Sequence, residues 1–177
     1  MNFLSISIMT LLGLLSVFNL ASAEENKAII LDDSPDYCTI FNLLNGGDVP
    51  DECPKMRGSL TKPKPIAFSK LVNFEYNSAL LTSESLVTLD ELLKVLKHEK
   101  MAQKTIQIYG HTDRKGSHAY NLLLSKKRAE AVKDYFVSHG VAASRLETDG
   151  FSFDRLYDPD HPFDSINRRA EFANLSG

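Results

Sequence analysis

The chain has 177 residues, 20 of them Lys or Arg and 23 Asp or Glu, which gives a net charge of −3. This charge argues against a protein that binds nucleic acid electrostatically, because such proteins carry a strongly basic face. A hydrophobic content of 43% is that of a globular chain, and the length suits one domain with an extension.

The first 23 residues form an apolar run that ends in Ala21-Ser22-Ala23. Small side chains at this spacing suit a signal peptidase, and Glu24 then begins a polar segment. The sequence therefore predicts a secretory signal peptide over 1–23 and an exported protein. No Lys or Arg precedes the run, and the alternative is an uncleaved membrane anchor, since the run approaches the length of a span.

The two cysteines of the chain, Cys38 and Cys53, lie in the segment that follows. In an oxidising compartment a lone pair of cysteines most simply forms a disulfide, although two free thiols are the alternative. Prolines in TKPKP (61–65) favour an extended backbone and indicate a linker. We therefore expect a disulfide-bearing extension over 24–60 and a domain over 66–177.

Within this domain, strand and helix patterns alternate. They predict, in chain order, a strand at 71–76, a helix after an N-cap at Thr82, a strand at 105–110, a helix at 119–139, and strands at 145–150 and 167–175. The apolar stripes of the two helices are predicted at Leu86, Leu89, Leu93 and Leu96, and at Leu122, Ala129, Val132 and Phe136. This βαβαββ order predicts an α+β fold, a two-layer α/β sandwich with the helices on one face of the sheet.

A polar cluster, Gly-His-Thr-Asp at 110–113, stands where the second predicted strand ends. On the helix that follows, Asn121, Ser125 and Arg128 share one face, so the Asp113 carboxylate is expected to face the Arg128 guanidinium. Such a pair is either a plain salt bridge or a clamp for a ligand that carries both an ammonium and a carboxylate. The neighbouring Lys126 and Lys127 are interpreted as a solvated basic face.

The ordered set GHTD, NLLLSKKRA and NRRAEF, with VNFEYNSALLTSESLVTLDELL upstream, resembles the OmpA-like peptidoglycan-binding domain over nearly all of 66–177. The resemblance implies non-covalent binding of peptidoglycan through the diaminopimelate of its peptide stem, with no catalysis and no cofactor. It implies a place in the periplasm or at the outer membrane, facing the periplasm. The site residues that it implies are Asp113 and Arg128, which grip diaminopimelate, with Asn121, Arg168, Thr112 and Asn77 nearby.

Two other functions fit parts of the sequence. One is a metal-dependent envelope hydrolase that uses His111 and Asp113, although a catalytic zinc needs three converging ligands and the spacing here is not a recognised one. We interpret His111 instead as a residue that orders its loop by hydrogen bonding. The other is an adaptor whose N-terminal extension recruits a further envelope protein while the domain holds the cell wall.

Overall fold

A computed structural model describes residues 29–30, 37–46, 49–53, 68–70, 72–75 and 78–174. Its helices and strands are β1 (Ile29–Ile30), α1 (Tyr37–Asn45), β2 (Phe68–Lys70), α2 (Ser83–Lys97), β3 (Ile106–Gly110), α3 (His118–Ser138), β4 (Leu146–Gly150) and β5 (Ala170–Asn174). The predicted signal peptide, the linker at 61–65 and Asn77 lie outside the described residues, so those predictions stand as they were made. Within the part of the chain that the structure describes, no helix combines the length and apolarity needed to cross a bilayer.

The five strands form one sheet in the order β1-β2-β5-β3-β4. β5 runs antiparallel to both of its neighbours, whereas β3 and β4 are parallel. Alternate side chains of the strands, including Ile106, Ile108 and Phe172, are fully buried beneath the helices, and Phe136 of α3 packs on Phe172. From β2 onward the order is βαβαββ, so the predicted α+β sandwich is confirmed.

The bounds predicted for the first strand of the domain are wrong. The strand covers Phe68–Lys70 rather than 71–76, and beyond it only an isolated bridge joins Phe74 to Leu81. The reason lies in its partner: β5 begins at Ala170, opposite Lys70, so the chain after Lys70 has no strand to pair with. The apolar alternation that suggested a strand reflects partial burial instead, since Val72 is buried and Phe74 half-buried.

The two long helices match their predictions closely. Thr82 caps α2 and accepts a hydrogen bond from the Ser85 amide, and Gly140 follows α3 with a φ of 93°, the left-handed conformation that glycine adopts readily. Most of the predicted stripe residues are buried, but Leu86 is 37% exposed and Leu122 is half-buried. Leu86 was wrongly assigned because the buried stripe centres on Ser85, and each residue turns the helix by about 100°.

The predicted Cys38–Cys53 disulfide is present, with the two Cα atoms 5.5 Å apart. It holds α1, whose buried residues Ile40, Phe41 and Leu44 belong to the same hydrophobic cluster as the sheet and α2. The C-terminal end of the sheet is also tied to this helix, because Asn174 donates a hydrogen bond of 2.8 Å to the Leu44 carbonyl. The extension therefore packs on the core of the domain.

Two strand-end glycines bring α3 into direct contact with the sheet. A Cβ atom on Gly110 would lie 2.1 Å from the Ser125 carbonyl oxygen, and one on Gly150 would lie 2.4 Å from the Lys126 amide nitrogen. The Ser125 hydroxyl completes this contact by accepting a hydrogen bond from the Ser152 amide. Because the helix backbone lies against the ends of β3 and β4, the loop after β3 is held beside the N-terminal half of α3.

Candidate ligand-binding cleft

An open cleft of about 920 Å³ lies between the loop after β3, the first half of α3, the segment before α2 and the loop that leads to β5. Its lining combines charged, polar and apolar side chains: Phe74, Glu75, Thr112, Asp113, Lys115, Tyr120, Asn121, Leu124, Arg128, Phe163 and Arg168. Five of the six predicted site residues therefore line one cleft, and the sixth, Asn77, is outside the described residues. Both signs of charge face this space.

Asp113 is paired with Arg168 and not with Arg128. Its Oδ2 accepts a 2.7 Å hydrogen bond from Arg168 Nη1, and its Oδ1 accepts one of 3.0 Å from the Lys115 amide. The plain Asp113–Arg128 salt bridge, which was one of the two alternatives for this pair, is therefore not formed. Each carboxylate oxygen has a second lone pair, so Asp113 can still accept hydrogen bonds from a ligand.

Arg128 is held from one side only. Its Nε donates a 3.1 Å hydrogen bond to the Ser78 carbonyl, and its guanidinium lies over the Phe74 ring at 4.8 Å from the centroid. Its two Nη groups make no hydrogen bond to any residue that the structure describes. Burial lowers the pKa of Arg128, and the nearby Arg168 lowers it further while Asp113 raises it. An anion bound here would reduce the electrostatic repulsion between Arg128 and Arg168.

Asn121 and Thr112 differ in what they do at the cleft. Asn121 is 3% exposed and donates a 2.9 Å hydrogen bond to the Lys115 carbonyl, so it fixes the loop that carries Asp113. Thr112 is 2% exposed, and its buried Oγ1 has no hydrogen-bond partner among the described residues. Leaving a buried hydroxyl unpaired costs about 1–3 kcal/mol, so this oxygen is a local cost in the folded state.

His111 faces away from this cleft. Its ring is buried and stacks on Phe151, and its Nε2 lies 3.4 Å from Glu171 Oε1 without forming a hydrogen bond of good geometry. His111 hydrogen-bonds through its backbone instead, because its amide donates a 3.0 Å hydrogen bond to the Arg169 carbonyl. Burial lowers the pKa of His111, which leaves the imidazole neutral at neutral pH. Burial raises the pKa of Glu171, but His111 and Arg169 lower it by more, so that the pKa of Glu171 is about 2.

A metal centre built on His111 and Asp113 finds no support in this geometry. His111 is buried against Phe151, whereas Asp113 is bound by a guanidinium on the cleft side. Across the described segments, the one group of three potential ligands whose ligand atoms lie within 4.8 Å of one another is Asp158, His161 and Asp164, in the loop before β5.

Sequence reasoning missed the apolar part of the cleft. Phe74 was assigned to a strand face and Phe163 was left in a long loop, yet both line the site, and Phe163 is 64% exposed. An aromatic residue beside a proline in a loop rich in Asp was the available signal. It gave no indication of which surface the loop would cover.

The comparisons with known proteins agree with this architecture. The model of the OmpA family matches residues 73–169, which is more than half of the chain. The chain belongs to the OmpA family. The matched segment begins before α2 and ends just short of β5, so it includes all the described residues that line the cleft.

Among OmpA-family relatives, outer membrane protein A of Buchnera aphidicola subsp. Schizaphis graminum is 36% identical over 85 residues, covering 48% of this chain and 24% of that protein. Outer membrane protein P5 of Haemophilus influenzae is 35% identical over 88 residues, covering 50% and 24%. The matched segment thus spans about a quarter of the length of these relatives.

Solved structures show the same OmpA-like domain. The peptidoglycan-associated lipoprotein of Burkholderia pseudomallei aligns with a TM-score of 0.51 and 29% identity, over 60% of this chain and 89% of that one. The OmpA-like domain of FopA1 from Francisella tularensis subsp. tularensis SCHU S4 aligns with a TM-score of 0.50 and 27% identity, over 62% and 73%.

Proposed function

We propose that this protein binds peptidoglycan without covalent chemistry, by gripping the zwitterionic end of diaminopimelate in the peptide stem. The observation that carries the proposal is a pair of groups that line the cleft: the Nη donors of Arg128, which bond to none of the described residues, and the carboxylate of Asp113. The solved relative described as a peptidoglycan-associated lipoprotein supports the choice of ligand.

The two poles of the ligand have separate partners in this proposal. Arg128 takes the carboxylate, because its planar fork forms two parallel charge-assisted hydrogen bonds and its Nε is already fixed by Ser78. Asp113 accepts a hydrogen bond from the ammonium, and Arg168, which also lines the cleft, keeps the Asp113 side chain in place.

The rest of the cleft fits a binding role better than a catalytic one. Glycine, serine and asparagine contacts fix the loop and α3 against the sheet, so the charged groups are pre-organised before a ligand arrives. A place in the periplasm or at the outer membrane follows from the ligand and belongs to the same proposal. So does recruitment of a second envelope protein by the extension, although its helix is largely occupied by the core.

Sedimentation with purified cell-wall sacculi tests the proposal. Arg128→Ala leaves the ligand carboxylate unpaired, which costs about 1.5–3 kcal/mol, or roughly a tenfold to hundredfold loss of affinity. Asp113→Ala should lose a similar factor through the ammonium. Added free diaminopimelate should release the wild-type protein from the sacculi.

Lys126→Ala is the matched control, because this lysine lies on the same helix with its side chain 54% exposed and should bind like the wild type. Circular dichroism establishes that each variant is folded. A folded Asp113→Ala/Arg128→Ala double variant that still sediments like the wild type would show that the ligand is held elsewhere.

A further inference from the structure

A second, smaller groove opens next to the cleft. It has a volume of about 260 Å³ and is lined by Ser78, Ala79, Tyr120, Leu123, Leu124 and Lys127. Tyr120 and Leu124 also line the cleft, so the two spaces meet along one face of α3. Ser78 lines the groove and also contacts a cleft residue, because its carbonyl accepts the hydrogen bond from Arg128.

The chemistry of the groove differs from that of the cleft. Lys127 is the one charged residue in its lining, and it makes no ion pair or hydrogen bond with any residue in the described ranges. Leu123, beside it, is 55% exposed, which leaves apolar surface open at the groove. An ammonium next to a short apolar wall suits a small residue that carries a free carboxylate.

Resting on the proposed function, we infer that this groove binds the stem residue adjacent to diaminopimelate, with its free carboxylate on Lys127 and its aliphatic part on Leu123. A peptide whose zwitterionic end sits between Asp113 and Arg128 extends beyond the cleft, and the groove adjoins the cleft at Tyr120 and Leu124. Lys127 is then a specificity residue, although the sequence interpretation gave it the same solvated role as Lys126.

Two stem residues next to diaminopimelate, D-Glu and D-Ala, can carry such a carboxylate, and dipeptides that contain one or the other distinguish them. Calorimetric titrations would compare free diaminopimelate with γ-D-Glu-diaminopimelate and with diaminopimelyl-D-Ala at low ionic strength. Lys127→Ala should weaken binding of one dipeptide about twofold to fivefold, the range of an exposed ion pair, and leave free diaminopimelate unchanged. Lys127→Arg should keep most of the affinity, and added salt should reduce the difference.

Two controls share the helix. Lys126→Ala should bind all three ligands like the wild type, and so should Val137→Ala, which lies at the far end of α3 and is 37% exposed. Leu123→Ala, in contrast, should weaken binding of the same dipeptide as Lys127→Ala. Equal affinity of wild type and Lys127→Ala for both dipeptides would overturn this inference alone. Failure of the wild type to bind even free diaminopimelate would overturn the proposed function and this inference with it.

Discussion

Removing the disulfide tests whether α1 is part of the folded core. In a Cys38→Ala/Cys53→Ala variant, the loss of a bridge between residues 15 apart should cost about 3 kcal/mol of unfolding free energy through the entropy of the unfolded chain. Because Ile40, Phe41 and Leu44 belong to the same cluster as the sheet, the cost should fall on the whole domain. A linker at 61–65, as the sequence predicts, would instead separate the extension from the domain, and the cost would then fall mainly on the extension.

The measurement is thermal unfolding followed by far-ultraviolet circular dichroism, with and without reductant. For a domain of this size, the loss corresponds to a fall of roughly 10 °C in Tm within a single transition. The β3 amides exchange through global unfolding, so the free energy derived from their hydrogen exchange should fall by the same amount.

An independent variant separates packing from covalent closure. Phe41 is fully buried, and Phe41→Ala should cost about 3–5 kcal/mol with the disulfide intact. An unchanged Tm in both the cysteine variant and Phe41→Ala would refute the shared core. So would two transitions, a small early one for the extension and a later one at the wild-type Tm.

Two further outcomes follow from the core and the sheet. Gly110→Ala should lower the unfolding free energy in urea by about 3 kcal/mol, the upper range for an overpacked site, because its Cβ would meet the Ser125 carbonyl at 2.1 Å. Glu171, whose pKa is about 2 against an ordinary 4.5, stabilises the fold above about pH 4.5, and this stability is lost as the pH falls toward 2. Glu171→Gln should flatten the dependence of unfolding free energy on pH in that window; a wild-type slope in the variant would contradict the assignment.

Local chemistry explains what the sequence could predict. Caps, helix stripes and the glycine after α3 are decided by neighbours in the chain, so those elements were placed within a residue or two. Helix geometry places Asn121 and Arg128 on one face, opposite Asp113, and the resemblance to the OmpA-like domain added Thr112 and Arg168. Cys38 and Cys53 paired as expected, since the described part of the chain holds no other cysteine.

Long-range contacts explain what it could not. The partner of Asp113 is 55 residues away, and the choice between Arg128 and Arg168 depends on where the loop before β5 crosses the cleft. The first strand of the domain was misplaced because its length is set by β5, at the other end of the domain. No local sequence pattern predicts that the Phe74 ring lies under the Arg128 guanidinium.

The place of β5 in the sheet has a consequence for how the chain folds as it emerges. β5 is the last of the described strands along the chain, yet it lies between β2 and β3 and pairs with both. While a chain is delivered from its N-terminal end, β3, α3 and β4 can assemble locally, but β2 has no bridge to them until the final strand inserts. Closing contacts over so long a span is slow. The cleft, whose Arg168 lies just before β5, is therefore expected to form at the last step of folding.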